Sequence, residues 1–393
     1  MPGFQLGRAG VSFTTRNHYV PQWYQERFLA PRRTEEKYYF LDLDPEKIAR
    51  PDGGHHFRNE LRRLGPVSCF KEDHLYTLRL GNYGFDVVEK RFFGELDRRG
   101  CNAVQYFRDY ELRDGVHEAF NDLVPYMDAQ KLRTPKGLDF LRKLTGAGDH
   151  QSTLNMMGKL FQMHATLWTE SVWEILCCDN SPTKFIISDH PVTTYNKAQF
   201  PGSPACKYPL DSLVECVGTH TIFPLDLNRC LVITNLGYVR NPQINPTKQR
   251  VNPRYFQQSM FDLRKIQTGR KIDEAYVRAI NYVIKKRAKR YIAAGERDWL
   301  YPENHLPTQM WNKLGDRYFL MPDPRKVQFT TDFVVGFKDG SAWGHDEYGR
   351  LSDENDPKVK ALREREWQSF EAAKKAWDSQ YGRLDRDEWL KYM

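Results

Sequence analysis

No stretch of this 393-residue sequence approaches the roughly 18–20 consecutive apolar residues that a membrane-crossing helix needs. The best short runs, such as Phe185-Ile186-Ile187, are strand-sized. Residues 1–16 carry only isolated hydrophobes among Gly, Ser, Thr and Arg, so neither secretion nor membrane insertion is expected. Cysteine is scarce, and Cys69, Cys101, Cys177, Cys178, Cys206, Cys216 and Cys230 contain no C-x-x-C spacing, which argues against structural zinc. Their odd number and mostly apolar neighbours suit free thiols in a reducing cytoplasm. Also missing are a Walker loop, a dinucleotide fingerprint after a strand, an H-E-x-x-H zinc motif and a nucleophile elbow. These absences take the commonest nucleotide hydrolysis, Rossmann chemistry, zincin proteolysis and α/β-hydrolase chemistry out of the front rank.

What is present is ample material for burial. The apolar fraction is 40%, with 13% aromatic and 28% charged residues, which specifies a folded protein rather than a disordered one. The net charge of +8 is compatible with an anionic partner and equally with ordinary solubility. The basic residues cluster at Lys285, Lys286, Arg287, Lys289 and Arg290, between Tyr282 and Tyr291. Cations interleaved with aromatic rings suit nucleic acid, because phosphates pair with the former and bases stack on the latter.

Patterning predicts an α+β fold: a mainly helical core, a small mixed or antiparallel sheet, and a C-terminal hairpin and helix. Residues 37–43 read as a strand closed by Asp44-Pro45. Helical spacing is expected over 85–101, 115–132, 135–144, 152–176 and 273–294. Residues 184–193 and 221–233 read as strands broken by proline. A core domain over 1–295 is expected, followed by an extension over 296–393. In the extension a hairpin turns at Lys338-Asp339-Gly340, and a charged helix near 357–381 carries Val359, Leu362, Phe370, Ala373 and Trp377 as one stripe. That helix is a candidate for packing back or for meeting a protein partner or a second copy.

Three motifs stand out in order: Asn17-His18-Tyr19-Val20-Pro21-Gln22, then Phe185-Ile186-Ile187-Ser188-Asp189-His190-Pro191-Val192, then Phe223-Pro224-Leu225-Asp226-Leu227-Asn228-Arg229. Val88-Glu89-Lys90-Arg91-Phe92-Phe93-Gly94-Glu95 and Ala129-Gln130-Lys131-Leu132-Arg133-Thr134 support them. The ordered set resembles the HYVPQ-type family catalogued as domain of unknown function 4238, over about residues 17–294. The resemblance implies a bacterial-type, cytoplasmic protein with a link to genome defence, and no particular reaction.

The dispersed polar residues supply the candidate chemistry. His18 stands in a rigid, aromatic-flanked segment as metal ligand or general base, or as a histidine bonded to a backbone carbonyl. Gln22 is a donor to a phosphate or an amide bonded across a turn. Asp189 is the first-choice carboxylate, at a strand end, or the head of an Asx-type turn. Its neighbour His190 points to the opposite face if the strand persists. Glu89 is the second carboxylate; Glu95, six residues on, falls about 120° away on the same helix and does not share its face. Gln130 and Arg133, three apart, either clamp a phosphate or join an Arg–carboxylate bridge with Asp189 or Glu89. His18, Glu89 and Asp189 together would hold Mg²⁺ or Mn²⁺ and activate water. With Arg133, Lys285, Lys286, Arg287 and Arg290 nearby, the expected activity is a metal-assisted nuclease or phosphodiesterase; the alternative is a binding module for nucleic acid or protein, or an effector working through a partner.

Overall fold

The computed structural model describes residues 16–30, 36–50, 54–80, 83–85, 93–250, 261–315, 318–328, 333–345, 351–353 and 355–392. The sequence runs into helix α1 (Gln22–Glu26) directly after Pro21. The helical layer follows: α2 (Gly94–Arg108), α3 (Val116–Leu132), α4 (Pro135–Thr145), α5 (His150–Lys159) and α6 (Ala165–Thr169). α2 lies so close to α3 that a Cβ on Gly100 would sit 2.3 Å from the Tyr126 ring. α4 starts where it does because the Thr134 hydroxyl accepts the Gly137 N–H and Pro135 occupies the first turn, where a missing N–H costs nothing.

Two four-stranded antiparallel sheets pack with these helices. In the first, Thr193–Tyr195, His220–Pro224, Arg229–Asn235 and Ser171–Cys177 lie in that order. Nearly all of its residues are buried, so its strands do not alternate between a core face and a solvent face. This corrects the helix expected over 152–176: the helical part stops at Thr169, and Ser171–Cys177 pairs residue for residue with Arg229–Asn235. A fully buried strand and a buried helix look alike in periodicity; here the ladder to Arg229–Asn235 decides.

The second sheet has the order Ile187–Ser188, Tyr291–Ala294, Tyr38–Asp42, Leu61–Leu64. The strand expected over 37–43 is there; the helix expected over 273–294 is cut short. α7 (Leu236–Arg240) precedes the true helix α8 (Glu274–Arg287), which gives way to the strand Tyr291–Ala294. The reason is a single side chain. Asp189 accepts the backbone N–H groups of Lys289, Arg290 and Tyr291 at 2.8, 2.6 and 2.8 Å, donors that a continuing helix would have sent to its own carbonyls.

The C-terminal hairpin Phe333–Gly336 and Ala342–His345 turns where expected, with a third strand at Leu351–Asp353. Helix α9 (Pro357–Tyr381) matches its predicted span and buries Phe370, Ala373 and Trp377 against Tyr238, Val239, Tyr318 and Met321. Leu362 stays exposed. Leu300, Trp311, Leu314, Phe319 and Leu320 belong to the main core. Among the described residues no helix is long and apolar enough to cross a membrane.

Candidate functional site

The motif segments meet in the core. Asn17 is buried and its side-chain oxygen accepts the Tyr76 N–H, Gln130 Nε2 donates to Tyr19 O at 2.9 Å, and Tyr24 stacks on Phe223 at 5.4 Å while its hydroxyl donates to Pro224 O. Around this junction the individual candidates take up separate positions. His18 Nε2 lies 3.1 Å from Val67 O, and burial followed by Lys71 lowers its pKa despite that contact. Gln22 reaches the His18 ring at 3.4 Å. Asp189 spends its oxygens on the three backbone N–H groups named above, and burial raises its pKa against their pull. No hydrogen bond or ion pair joins Asp189 to His18, and Glu89 lies outside the described residues. Among the described residues no three His, Cys, Asp or Glu side chains gather as a metal ion would require.

Arg133 is buried, takes Gln130 Oε1 at 2.9 Å and Asp97 at 2.8 Å, and lies over the Phe93 ring. Arg133 thus does form an Arg–carboxylate bridge, but to Asp97 and not to the expected Asp189, whose oxygens are taken by backbone N–H groups. The basic run is divided among several places. Lys285 pairs with Glu303, Lys289 with Asp139, and Arg290 makes a two-pronged bridge to Asp42. Lys286 lies exposed over the Tyr282 ring, and Arg287 turns inward.

Where Arg287 turns inward, a different constellation appears. The last turn of α3 brings Lys131, the first turn of α4 brings Lys136, the Ser188-Asp189-His190-Pro191 motif brings His190, and the Pro/Gly loop after it brings Asp211. Asp211 Oδ1 is 2.7 Å from Lys136 Nζ and 3.8 Å from Arg287; Asp211 Oδ2 is 3.1 Å from His190 Nε2 and 3.7 Å from Lys131 Nζ. All five side chains are buried. Lys131, Lys136, His190 and Asp211 line a cavity of about 30 Å³, room for one or two water-sized groups. Its wall reaches the surface through half-buried Pro209 and Glu215 and exposed Leu213.

The electrostatics are lopsided. Three cations surround one carboxylate in a buried site; Asp128 and Asp189 add weaker attraction to Lys131 and Lys136 from farther away. Burial works against the ionised form of Asp211, yet Lys136, His190 and Lys131 outweigh it and hold its pKa well below the usual range. Burial depresses the pKa of His190 to about 3, so the ring is neutral near pH 7. The Thr134 hydroxyl meets its Nδ1 at 2.8 Å, while Nε2, although close to Asp211, has no aligned hydrogen-bond partner. Lys136 also donates to Arg287 O at 2.6 Å, and Arg287 to Gln199 O and Ser212 Oγ, both at 2.9 Å. Lys131 is the least satisfied: apart from the distant carboxylate it has Val192 O at 3.4 Å. Burial, then Lys136 and Arg287 working against Asp211, pushes its ammonium pKa down.

Sequence reasoning named Arg287 and noted His190 but passed over Lys131, Lys136 and Asp211. The available signal was that Lys131 and Thr134 stand inside one motif and His190 inside another. Asp211 has no motif around it.

Residues 103–298 match the model of a family described as Protein of unknown function (DUF4238). The chain belongs to that family, and Lys131, Lys136, His190, Asp211 and Arg287 all lie within the matched span. The HYVPQ segment precedes that span and is tied to it through Gln130 and Pro224. No curated protein and no solved structure matches the chain.

Proposed function

We propose that this protein binds a small anionic group, a carboxylate or phosphoryl terminus, in the cavity between Lys131, Lys136, His190 and Asp211. The supporting observation is the buried Lys131 ammonium, which lines the cavity with one long hydrogen bond at 3.4 Å and one carboxylate at 3.7 Å. A buried charge left incompletely paired costs several kcal/mol, and an anion in the cavity offsets that cost. Binding to the folded state alone raises stability by about 2.7 kcal/mol at a ligand concentration of roughly 100 Kd. The test is melting of the full chain in acetate, glycolate or phosphate, against chloride at matched ionic strength. A rise with one of the first three that Lys131→Met removes supports the proposal; equal curves in all four salts contradict it.

Metal-assisted cleavage of nucleic acid in bacterial genome defence is the second reading. What favours it is an open cleft of about 700 Å³ that shares α4 with the cavity and is lined by Glu72, Asp73, His74, Asp139, Arg142, Asp149, His150 and Lys289. Four carboxylates repel a phosphodiester unless a divalent cation intervenes. Cleavage of DNA or RNA with Mg²⁺ or Mn²⁺ that Asp139→Asn abolishes in a folded protein supports this reading, whereas salt-sensitive binding without cleavage leaves a binding module. Contact with a protein partner or a second copy would use exposed Leu362 and Trp367 of α9; an oligomer size unchanged by Leu362→Glu argues against it.

A further inference from the structure

We infer that the cavity takes a small oxo acid, a carbonyl compound bearing a carboxylate, and that Lys131 captures its carbonyl carbon as a protonated imine. This deepens the anion-binding reading and rests on it. The geometry asks for something more than a counter-ion. A plain anion site is served by cations held in fixed hydrogen bonds, as Lys136 and Arg287 are; Lys131 is instead loosely held and open to the cavity. An amine in a dry pocket beside other cations has more of its neutral, nucleophilic form than an exposed one. In this site burial and the two neighbouring cations act on Lys131 in that direction, against Asp211.

The space sets the size class. A cavity with room for one or two water-sized groups admits only the reacting end of the smallest oxo acid, the two-carbon one, or a terminus of that size on a larger molecule. The carboxylate of such a ligand adds a second negative charge to the one that Asp211 supplies among three cations. The step balances without an oxidant or reductant. The ammonium first gives up one proton and so frees the nitrogen lone pair, which attacks the carbonyl carbon; the C=O π pair moves to oxygen, a second proton passes from nitrogen to that oxygen, and the proton first given up returns to the same oxygen. Loss of the C–O bond releases water and leaves a carbon–nitrogen double bond, so that ammonium plus carbonyl becomes iminium plus water. His190, whose Nε2 lies 3.1 Å from Asp211 Oδ2, and Asp211 itself are the polar groups placed to pass the proton.

The test is reductive trapping on the full chain with glyoxylate and cyanoborohydride near pH 7, read by intact mass and peptide mapping. Glycolate, which has the carboxylate and lacks the carbonyl, serves as the binding control in melting and as a competitor in trapping. The expected result is one adduct per chain on Lys131, formed faster than on any exposed lysine. Glycolate slows it, and it is absent from Lys131→Arg, a variant that keeps the positive charge and is checked for folding by its melting curve. Adducts spread over surface lysines, or an unchanged adduct in Lys131→Arg, overturn the inference. Stabilisation by glycolate without an adduct overturns the imine and leaves the anion site standing. An adduct on Lys131 that glycolate fails to slow removes the anion site from the account of that reactivity, and neither stabilisation nor adduct removes both.

Discussion

Asp189 and Asp211 are both buried aspartates in the same part of the molecule, and they do different work. Asp189 spends its charge on three backbone N–H groups. Those donors are fixed by the chain itself, so the carboxylate ends α8, starts the strand Tyr291–Ala294 and has little left for a ligand. Asp211 spends its charge on Lys136, Lys131, Arg287 and His190, side chains of which Lys131 is held loosely enough to accept a new partner. One aspartate is architecture; the other is the centre of a site with more positive charge around it than it can offset.

The largest effect expected from this contrast is Asp211→Asn. Removing the one carboxylate from among three buried cations should cost about 3–5 kcal/mol, measured by urea unfolding, and millimolar acetate or phosphate should restore part of it. Asp189→Asn should cost less, roughly 1.5–3 kcal/mol for weakened charge-assisted bonds, and no added anion should restore it. Equal rescue of both variants would erase the distinction drawn here.

pH provides the next separation. An unfolded histidine takes up a proton near 6.5, while His190, and likewise buried His220, stays neutral in the folded protein down to about 3. Between these values the unfolded chain binds more protons, so stability falls as the pH drops, by roughly 1.4 kcal/mol per unit for each histidine at full effect. Asp211, held low, contributes stability that is present above its ordinary value of 3.8 and is lost only as the pH falls through its lower folded value. Replacing His190 by Gln should flatten the acid limb between pH 6.5 and 3, as followed by unfolding free energy across that window. The smallest effect belongs to Lys286→Ala. That side chain is exposed over Tyr282, and its loss should change stability by no more than about 0.5 kcal/mol and leave anion binding intact.

Much of the scaffold was legible in the sequence. Pro135 after Thr134, the period of residues 116–132, the Lys338-Asp339-Gly340 turn and the stripe ending in Trp377 all state local preferences that the fold keeps. The strands Ser171–Cys177 and Tyr291–Ala294 were hidden because their pairing partners are distant: Arg229–Asn235 for one, Tyr38–Asp42 for the other. Apolar spacing alone could not choose between helix and strand there. The site was harder still. The Ser188-Asp189-His190-Pro191 motif points to both acidic and imidazole groups, but which one faces a cavity depends on where Lys289, Arg290 and Tyr291 fold back. Asp211 lies in a loop with no periodicity, and its nearness to Lys131 and Lys136, 80 and 75 residues earlier, is a property of the packed chain.

The central claim, that the cavity is a site for an anion and not merely a buried ion cluster, is tested most directly by calorimetric titration of the full chain with glycolate. The account predicts saturable binding of one glycolate per chain, lost in Lys131→Met and kept in Lys286→Ala. No heat of binding in the wild-type protein, or the same isotherm in both variants, would contradict it.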